Sequence, residues 1–325
     1  AMAYRQSAPA IALVAEPPRK DRWLVDRWIP LNHTTVVYAD GGSGKSLFML
    51  ALCVSGILGY QLGAWHVGSL SRVLYLDWES DHTTHAERLW GLTALREALP
   101  PESIMHRRMH RPLTEDIMDV REDCGRYQPN AIVIDSLAPA SGPEPEGADA
   151  SIRTLGAIDS LPGTKIVSAH VSKASTDSPR SRPFGSVFNS NLARSTIEMR
   201  RIDDGDEEQG FSLSLYHPKH NYSAGAKPTG LRFGFDAESR ITVTTAAADL
   251  QGASIPAQII AMLRPGSQTV HDVAEALEIT EAAARGHLHR LKDRGKVITL
   301  QTVSGGRGNK SQWGLKDTNH SGEPW

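Results

Sequence analysis

Ala39-Asp40-Gly41-Gly42-Ser43-Gly44-Lys45-Ser46 carries the most specific chemistry in the sequence. Its spacing is that of a phosphate-binding loop, Ala or Gly, four residues, then Gly-Lys-Ser/Thr. Glycines let successive backbone N–H groups converge on a β-phosphate, and the N-terminus of the helix behind them adds its positive end. Ala39 through Leu47 would cradle a nucleotide, with Lys45 reaching the β- and γ-phosphates and the Ser46 hydroxyl ligating Mg2+. Phosphoryl transfer also needs a group that holds Mg2+, a group that orients the attacking water, and positive charge for the transition state. Asp135, at the end of the apolar run 131–134, is placed to hold Mg2+ through water. Glu79 is the first candidate for the water-polarising base, with Asp77 and Asp81 as further candidates. His170 ends the next apolar run, where a group sensing the γ-phosphate would sit. The expected cofactors are therefore ATP and Mg2+.

For these groups to meet, they must stand at one edge of one sheet. Residues 34–38 are β-branched and aromatic, a buried strand, and 47–59 are apolar and helix-competent. A second strand is expected over 72–79. Asp81 and Thr83 open a helix to about residue 99, stopped by Pro100-Pro101. A third strand over 104–109 precedes a helix over 114–127, with Thr114 as N-cap. Residues 130–136 are the clearest buried strand, followed by a helix over 148–161 and a strand over 164–170. Strands alternating with helices predict an α/β fold with a mainly parallel sheet, whose strands end at a common edge. From 195 to 245 the pattern turns to strands joined by turns, over 195–202, 211–217, 231–236 and 241–244, with an acidic loop at 203–208. An antiparallel extension of the sheet fits.

The flanks divide the chain further. Residues 1–22 read as a flexible N-terminus, and Ala1 ahead of Met2 as a residue left by tag cleavage. The aromatic segment 23–30 is expected to pack on the sheet edge, on a neighbouring subunit or in the core. Residues 23–245 form the first domain, 246–254 a linker, 255–316 a second domain and 317–325 a flexible tail. The second domain shows helices over 255–263, 269–277 and 281–294, the last capped by Thr280. A hairpin over 295–300 and 311–315 follows, which together make a winged helix-turn-helix.

Charge and cysteine content bound the function. With 35 Lys+Arg against 37 Asp+Glu over 325 residues, the chain as a whole is no polycation. Residues 255–316 differ, with nine Lys/Arg against five Asp/Glu, a net of +4. Arg285, His289 and Arg290 lie on the polar side of the third helix there, and Arg307 and Lys310 tip the wing. Such a module reads duplex DNA, or docks on protein. The two cysteines, Cys53 and Cys124, read as reduced thiols of a cytoplasmic protein. Residues 46–71 carry no Asp, Glu, Lys or Arg and are long enough to span a bilayer, but glycines interrupt them. A core helix followed by a turn is expected there, and no membrane partner.

A family resemblance joins these motifs. Trp28-Ile29-Pro30, the phosphate loop, Tyr75-Leu76-Asp77-Trp78-Glu79, Asp135 and Ser168-Ala169-His170 occur in the order of RecA-like P-loop ATPases. Arg182-Pro183-Phe184-Gly185-Ser186 and Asn191-Leu192-Ala193-Arg194 continue it. More narrowly the pattern resembles plasmid RepA-type hexameric helicases and their DnaB-type relatives, AAA-family ATPases of mobile elements, over residues 23–245. The resemblance implies a RecA-like core whose site is completed in trans. Arg194 would be the first arginine finger, with Arg200 and Arg201 as alternatives. Lys219, in Pro218-Lys219-His220-Asn221, matches the lysine of a Lys-Gln-Arg turn whose arginine is here Asn221. It further implies a homo-oligomer, a hexameric ring, with DNA in its channel and other replication proteins as partners. Of the two loops that would line such a channel, 138–147 is acidic and proline-rich and fits DNA poorly. The loop 172–182 offers Lys173, Arg180 and Arg182 and fits better. The expected function is an ATP-driven DNA motor, a replicative helicase of a plasmid or phage tethered by its winged helix. A non-translocating ATP-controlled initiator or regulator, and a recombination or annealing filament protein, are the other readings.

Overall fold

Four runs of apolar and small polar residues are buried on both faces and become adjacent strands: β3 (Thr34–Ala39), β4 (Val73–Asp77), β6 (Ala131–Asp135) and β7 (Thr164–His170). Only His170 among them is partly exposed. Burial on both faces is what a parallel sheet covered by helices demands. The computed structural model describes residues 22–143, 145, 147–171, 193–202, 210–222, 225–246, 248, 255–263, 266–300 and 311–316.

These strands belong to a nine-stranded sheet completed by β5 (Ile104–Arg108), β8 (Ser195–Ile202), β9 (Gly210–His220), β10 (Thr229–Phe235) and β11 (Ile241–Ala246). The lateral order is β11-β10-β9-β8-β3-β7-β6-β4-β5. From β5 across to β8 all neighbours run parallel, and β8 through β11 are antiparallel. The expected mixed sheet is therefore present, with β11 ending one residue beyond the anticipated boundary at 245.

Helices cover both faces. On one lie α1 (Lys45–Leu58) and α2 (His82–Thr93), together with a hairpin of β1 (Trp23–Val25) and β2 (Ile29–Pro30). Val37, Tyr75, Val133 and Ile166 face them in one buried cluster. On the other lie α3 (Leu113–Tyr127), α4 (Leu137–Ser141) and α5 (Ala148–Asp159), against Leu74, Leu76, Ile132, Ile134 and Val167. The segment 23–30 is core: Leu24, Val25, Trp28 and Ile29 are buried, and Trp28 sits 4.9 Å from Trp65. Gly91 of α2 lies against Ser239 and Ile241, so the antiparallel extension reaches the helix layer.

Several local expectations need correction. Helix α3 begins at Leu113 with Pro112 at the N-cap, so Thr114 lies inside its first turn and caps nothing. Helix α2 stops at Thr93, not near 99, and α5 at Asp159, not 161. Residues 137–141 form α4, where a wholly irregular loop from 138 was expected; Leu137 and Ala140 are buried there, and core burial overrides the local proline. The uncharged stretch 46–71 is the 14-residue α1 followed by turns that fold back as the Leu62–Trp65 bridge. Among the described residues no helix is long and apolar enough to cross a membrane.

Toward the C-terminus come α6 (Ile255–Met262), β12 (Gln268–Thr269), α7 (Val270–Ala276), α8 (Glu281–Asp293), β13 (Val297–Leu300) and β14 (Gln312–Leu315). The strands pair in the order β12-β14-β13, all antiparallel. Thr269 and Asp272 form a reciprocal capping box at α7, and Thr280 caps α8 through Ala283 N–H. Ile259, Val273, Ala284, Leu288, Leu291 and Trp313 make a hydrophobic cluster separate from the two that flank the large sheet.

Candidate nucleotide-binding site

The loop 40–44 leaves β3 and enters α1 through two glycines with left-handed backbones, Gly42 at φ 71° and Gly44 at φ 89°. Gly44 is required for space as well, since a Cβ there would lie 2.7 Å from the Phe211 ring. Helix α1 has Gly44 at its N-cap and no side-chain cap. Its first N–H groups therefore have no side-chain acceptor of their own, as a phosphate cradle requires. Lys45 Nζ lies folded across the loop, donating to the Asp40 carbonyl at 2.8 Å and the Ala39 carbonyl at 3.2 Å. Ser43 Oγ donates to the Asp40 carbonyl at 2.7 Å. Burial lowers the pKa of the Lys45 ammonium, while Glu79, Asp135 and Asp40 pull it back up. Ser46 is half-buried in the first turn and Leu47 is buried beneath it.

Parallel pairing brings the ends of β4, β6 and β7 beside this loop. Asp77 pairs in register with Asp135, so both side chains leave the sheet on the α1–α2 face. Asp135 is buried, accepting hydrogen bonds from Tyr75 OH at 2.8 Å and from Ser168 Oγ. Burial and the neighbouring Asp135 carboxylate push the Tyr75 phenol well above its ordinary value.

Glu79 lies two residues past the end of β4, not on the strand as expected. Its carboxylate accepts from the Ser136 hydroxyl and stands 3.7 Å from His170 Nε2. Glu79 and His170 remain 44% and 38% exposed, so this pair, unlike Asp135, is open to a ligand. His170 also faces the loop, its Cε1 4.0 Å from where a Cβ on Gly41 would be.

Asp77 is not a surface base. Its Oδ1 accepts from Glu79 N–H at 2.7 Å and Ser80 N–H at 3.0 Å, and its Oδ2 meets His85 Nε2. Burial disfavours its charge, yet the rings of His106 and His85 and the N–H groups of Ser80 and Glu79 prevail, holding the carboxyl below the usual range. Asp77 therefore shapes the turn that presents Glu79. Asp81 caps α2 through Thr84 N–H at 2.8 Å and is occupied there.

The candidate cations fall in two places. Arg201 Nη1 is 3.5 Å from the Gly42 carbonyl, with its guanidinium 4.9 Å over the Phe211 ring, beside its own chain's phosphate loop. Arg200 is engaged by Glu198 at 2.6 Å. Arg194 stands at the opposite edge of the sheet, where its N–H donates to the Thr34 carbonyl at 3.0 Å. Lys219 pairs with Thr196 at that same edge, and burial together with Arg194 lowers its pKa. On α8, Arg285, His289 and Arg290 are all exposed, and His289 packs edge-on to Trp313 at 5.2 Å. Lys173, Arg180, Arg182, Arg307 and Lys310 lie outside the described residues.

Sequence reasoning missed Tyr75, Ser136, Ser168 and Phe211, and the histidines around Asp77. Tyr75 was accessible in principle: it shares a strand face with Asp77, two residues on. The others reach the site only through strand pairing or, for His85, through the packing of α2 on the sheet.

The comparisons give the family and the fold. A family model described as an AAA domain matches residues 3–176. Among solved structures, a KaiC-like protein from the hyperthermophilic archaeon Pyrococcus horikoshii OT3 is similar, with a TM-score of 0.50 at 12% identity, covering 69% of this chain and 94% of that one. At that identity the likeness is one of fold, a RecA-like P-loop ATPase core. Among curated proteins none matches the sequence.

Proposed function

The chain belongs to the AAA domain family, and on that premise we propose that it is an ATP-hydrolysing motor acting on DNA, a hexameric replicative helicase of the RepA type from a plasmid or phage. The observation that carries the hydrolytic reading is the half-exposed Glu79–His170 pair, 3.7 Å apart, at the strand edge that bears the phosphate loop. The uncapped N-terminus of α1 and the two left-handed glycines suit the phosphates of ATP. Mg2+, bound with the nucleotide, would supply charge neutralisation at the β- and γ-phosphates. Ser46 would hold it directly, and Asp135 through water, since both Asp135 oxygens already accept hydroxyl protons. Lys45 exchanges two loop carbonyls for phosphate oxygens. Glu79 then accepts the proton of the attacking water, and the Ser136 hydroxyl fixes its rotamer.

Arg194 and Lys219 lie too far from their own loop to act in cis. Six residues of β3 separate the two edges, about 20 Å. They suit the site of a neighbouring subunit, which favours a ring. DNA would meet Lys173, Arg180 and Arg182 in the loop 172–182. It would also meet a winged helix over 255–316 through Arg285, His289, Arg290, Arg307 and Lys310. A second reading, a non-translocating initiator or regulator switched by ATP, is favoured by α4: it ties down the start of the loop 138–147 by burying Ala140, where a motor needs a mobile channel loop.

Steady-state ATP hydrolysis with and without single- and double-stranded DNA, alongside mass by light scattering, tests the proposal. Turnover that rises with DNA in a six-fold assembly and collapses in Glu79→Gln is the expected result. Hydrolysis indifferent to DNA, or a monomer under every nucleotide condition, overturns the motor.

A further inference from the structure

Behind Glu79, three side chains from three elements converge. Asp77 ends β4, His85 sits on α2 and His106 on β5. Both imidazole Nε2 atoms aim at one oxygen, Asp77 Oδ2: His85 in contact and His106 at 3.5 Å. One ligand atom from each lies within 4.8 Å of the others. His106 Nε2 is buried and makes no close hydrogen bond, its approach to Asp77 Oδ2 being a long one at 3.5 Å. The second carboxylate oxygen is held by two backbone N–H groups, which leaves Oδ2 as a single, oriented donor.

We propose that Asp77 Oδ2, His85 Nε2 and His106 Nε2 form a site for one divalent transition-metal ion of the Zn2+ class. Two imidazoles and one carboxylate with a fourth position left over is a zinc-type donor set, whereas Mg2+ and Ca2+ select oxygen. Ring placement fits. With nitrogen about 2.1 Å from the metal, two tetrahedrally placed imidazoles have centroids about 5 Å apart; those of His85 and His106 are 5.1 Å apart. The fourth position goes to water or to His82, three residues before His85 on α2, whose ring is 5.8 Å from that of His106. The ion would replace the direct His85–Asp77 contact and join β4, α2 and β5 around the turn that carries Glu79. A consequence follows for turnover, which rests on the proposed hydrolytic site: a loaded metal rigidifies the presentation of Glu79 and raises hydrolysis at saturating ATP and Mg2+.

The full chain, stripped with a chelator and exchanged into metal-free buffer, is titrated with Zn2+ against a chromophoric competitor and with Co2+ by visible absorption. One equivalent per chain is expected, with the intense d–d bands of four-coordinate Co2+ and no competition from excess Mg2+. His85→Gln and His106→Gln weaken it about a hundredfold or more, while His110→Gln, at an exposed histidine elsewhere, does not. Thermal unfolding of each stripped variant verifies folding, and Zn2+ raises the midpoint of the wild type and of His110→Gln but not of His85→Gln or His106→Gln. Absence of stoichiometric binding to the wild type, or binding that survives both substitutions, overturns the site whatever the hydrolysis assay shows. Stoichiometric binding in a chain that hydrolyses nothing keeps the site and removes only the consequence for turnover.

Discussion

The two ends of the parallel strands gather different buried charged groups, and each end holds them with different partners. At the C-terminal edge stand Asp77, Glu79 and Asp135. The two buried ones are held by hydroxyls, ring nitrogens and backbone N–H groups, with Arg108 near Asp77 only at 3.7 Å. At the N-terminal edge stand Lys165, Arg194 and Lys219. Lys165 Nζ donates to the carbonyls of Leu161 at 3.3 Å and Asn32 at 3.4 Å, and its pKa is lowered by burial. His33 is lowered there too, by burial and then by Arg194 and Lys165. Ring nitrogens and backbone N–H groups hold the Asp77 carboxyl below the usual range although burial opposes them. One sheet thus gathers carboxylates at one end of its parallel strands and holds Lys165, Arg194 and Lys219 at the other.

Perturbing each end separately tests the contrast. The largest effect is expected from Glu79→Gln, which should lower ATP turnover about a thousandfold while leaving nucleotide affinity within about twofold, read by steady-state kinetics and fluorescent-nucleotide titration. Equal loss of binding and turnover would mean that Glu79 holds the loop and not the water.

Asp135→Ala removes the acceptor of two buried hydroxyls, Tyr75 and Ser168, and should cost about 2–4 kcal/mol in urea unfolding. Tyr75→Phe, which removes one donor and leaves Ser168 in place, should cost about 1 kcal/mol.

The third effect belongs to the other end. His217 Nδ1 accepts Ala226 N–H at 3.1 Å, and its Nε2 meets Ser195 Oγ at 2.8 Å, whose proton goes to the Trp28 carbonyl at 2.6 Å. That chain admits only the neutral ring, and burial, with His220 nearby, lowers the pKa of His217 to about 4. Between that value and the unfolded value near 6.5 the unfolded chain binds the extra proton, so stability rises with pH across this window. Acidification from pH 7 to pH 4 should therefore cost about 3 kcal/mol through this residue, and His217→Gln should flatten the slope. A slope unchanged in the variant would assign the acid sensitivity to the carboxylate end.

Smallest is the effect of Arg194→Ala or Lys219→Ala on nucleotide affinity of the isolated chain, expected within about twofold because about 20 Å of strand separates them from the loop. A larger change would show that the two ends communicate within one subunit.

Phosphate loop, alternation of strand and helix, and the carboxylate at the end of each apolar run were all legible in the residues, because each depends on a few consecutive positions. The strand-end position of Asp135 was readable for the same reason, whereas Glu79, expected on β4, lies two residues beyond it. The setting of those carboxylates was not legible. Asp77 looked like a base and is instead the buried post of a turn, because His85 comes from α2 and His106 from β5. Ser136 follows Asp135 in sequence, yet its contact with Glu79 exists only because β6 lies beside β4.

By itself, the sequence determined the strands of the large sheet, the glycine loop between β3 and α1, and the acidic ends of β4 and β6. Periodicity, glycine freedom and helix capping are properties of neighbouring residues. Tertiary structure alone decided the lateral order, which seats β7 between β3 and β6, and β4 between β6 and β5. That order follows from non-local pairing and from helices covering both faces, and it selects which donors a buried carboxylate meets. It also placed Arg201 beside the phosphate loop and Arg194 at the far edge, although seven positions separate them on one stretch of chain.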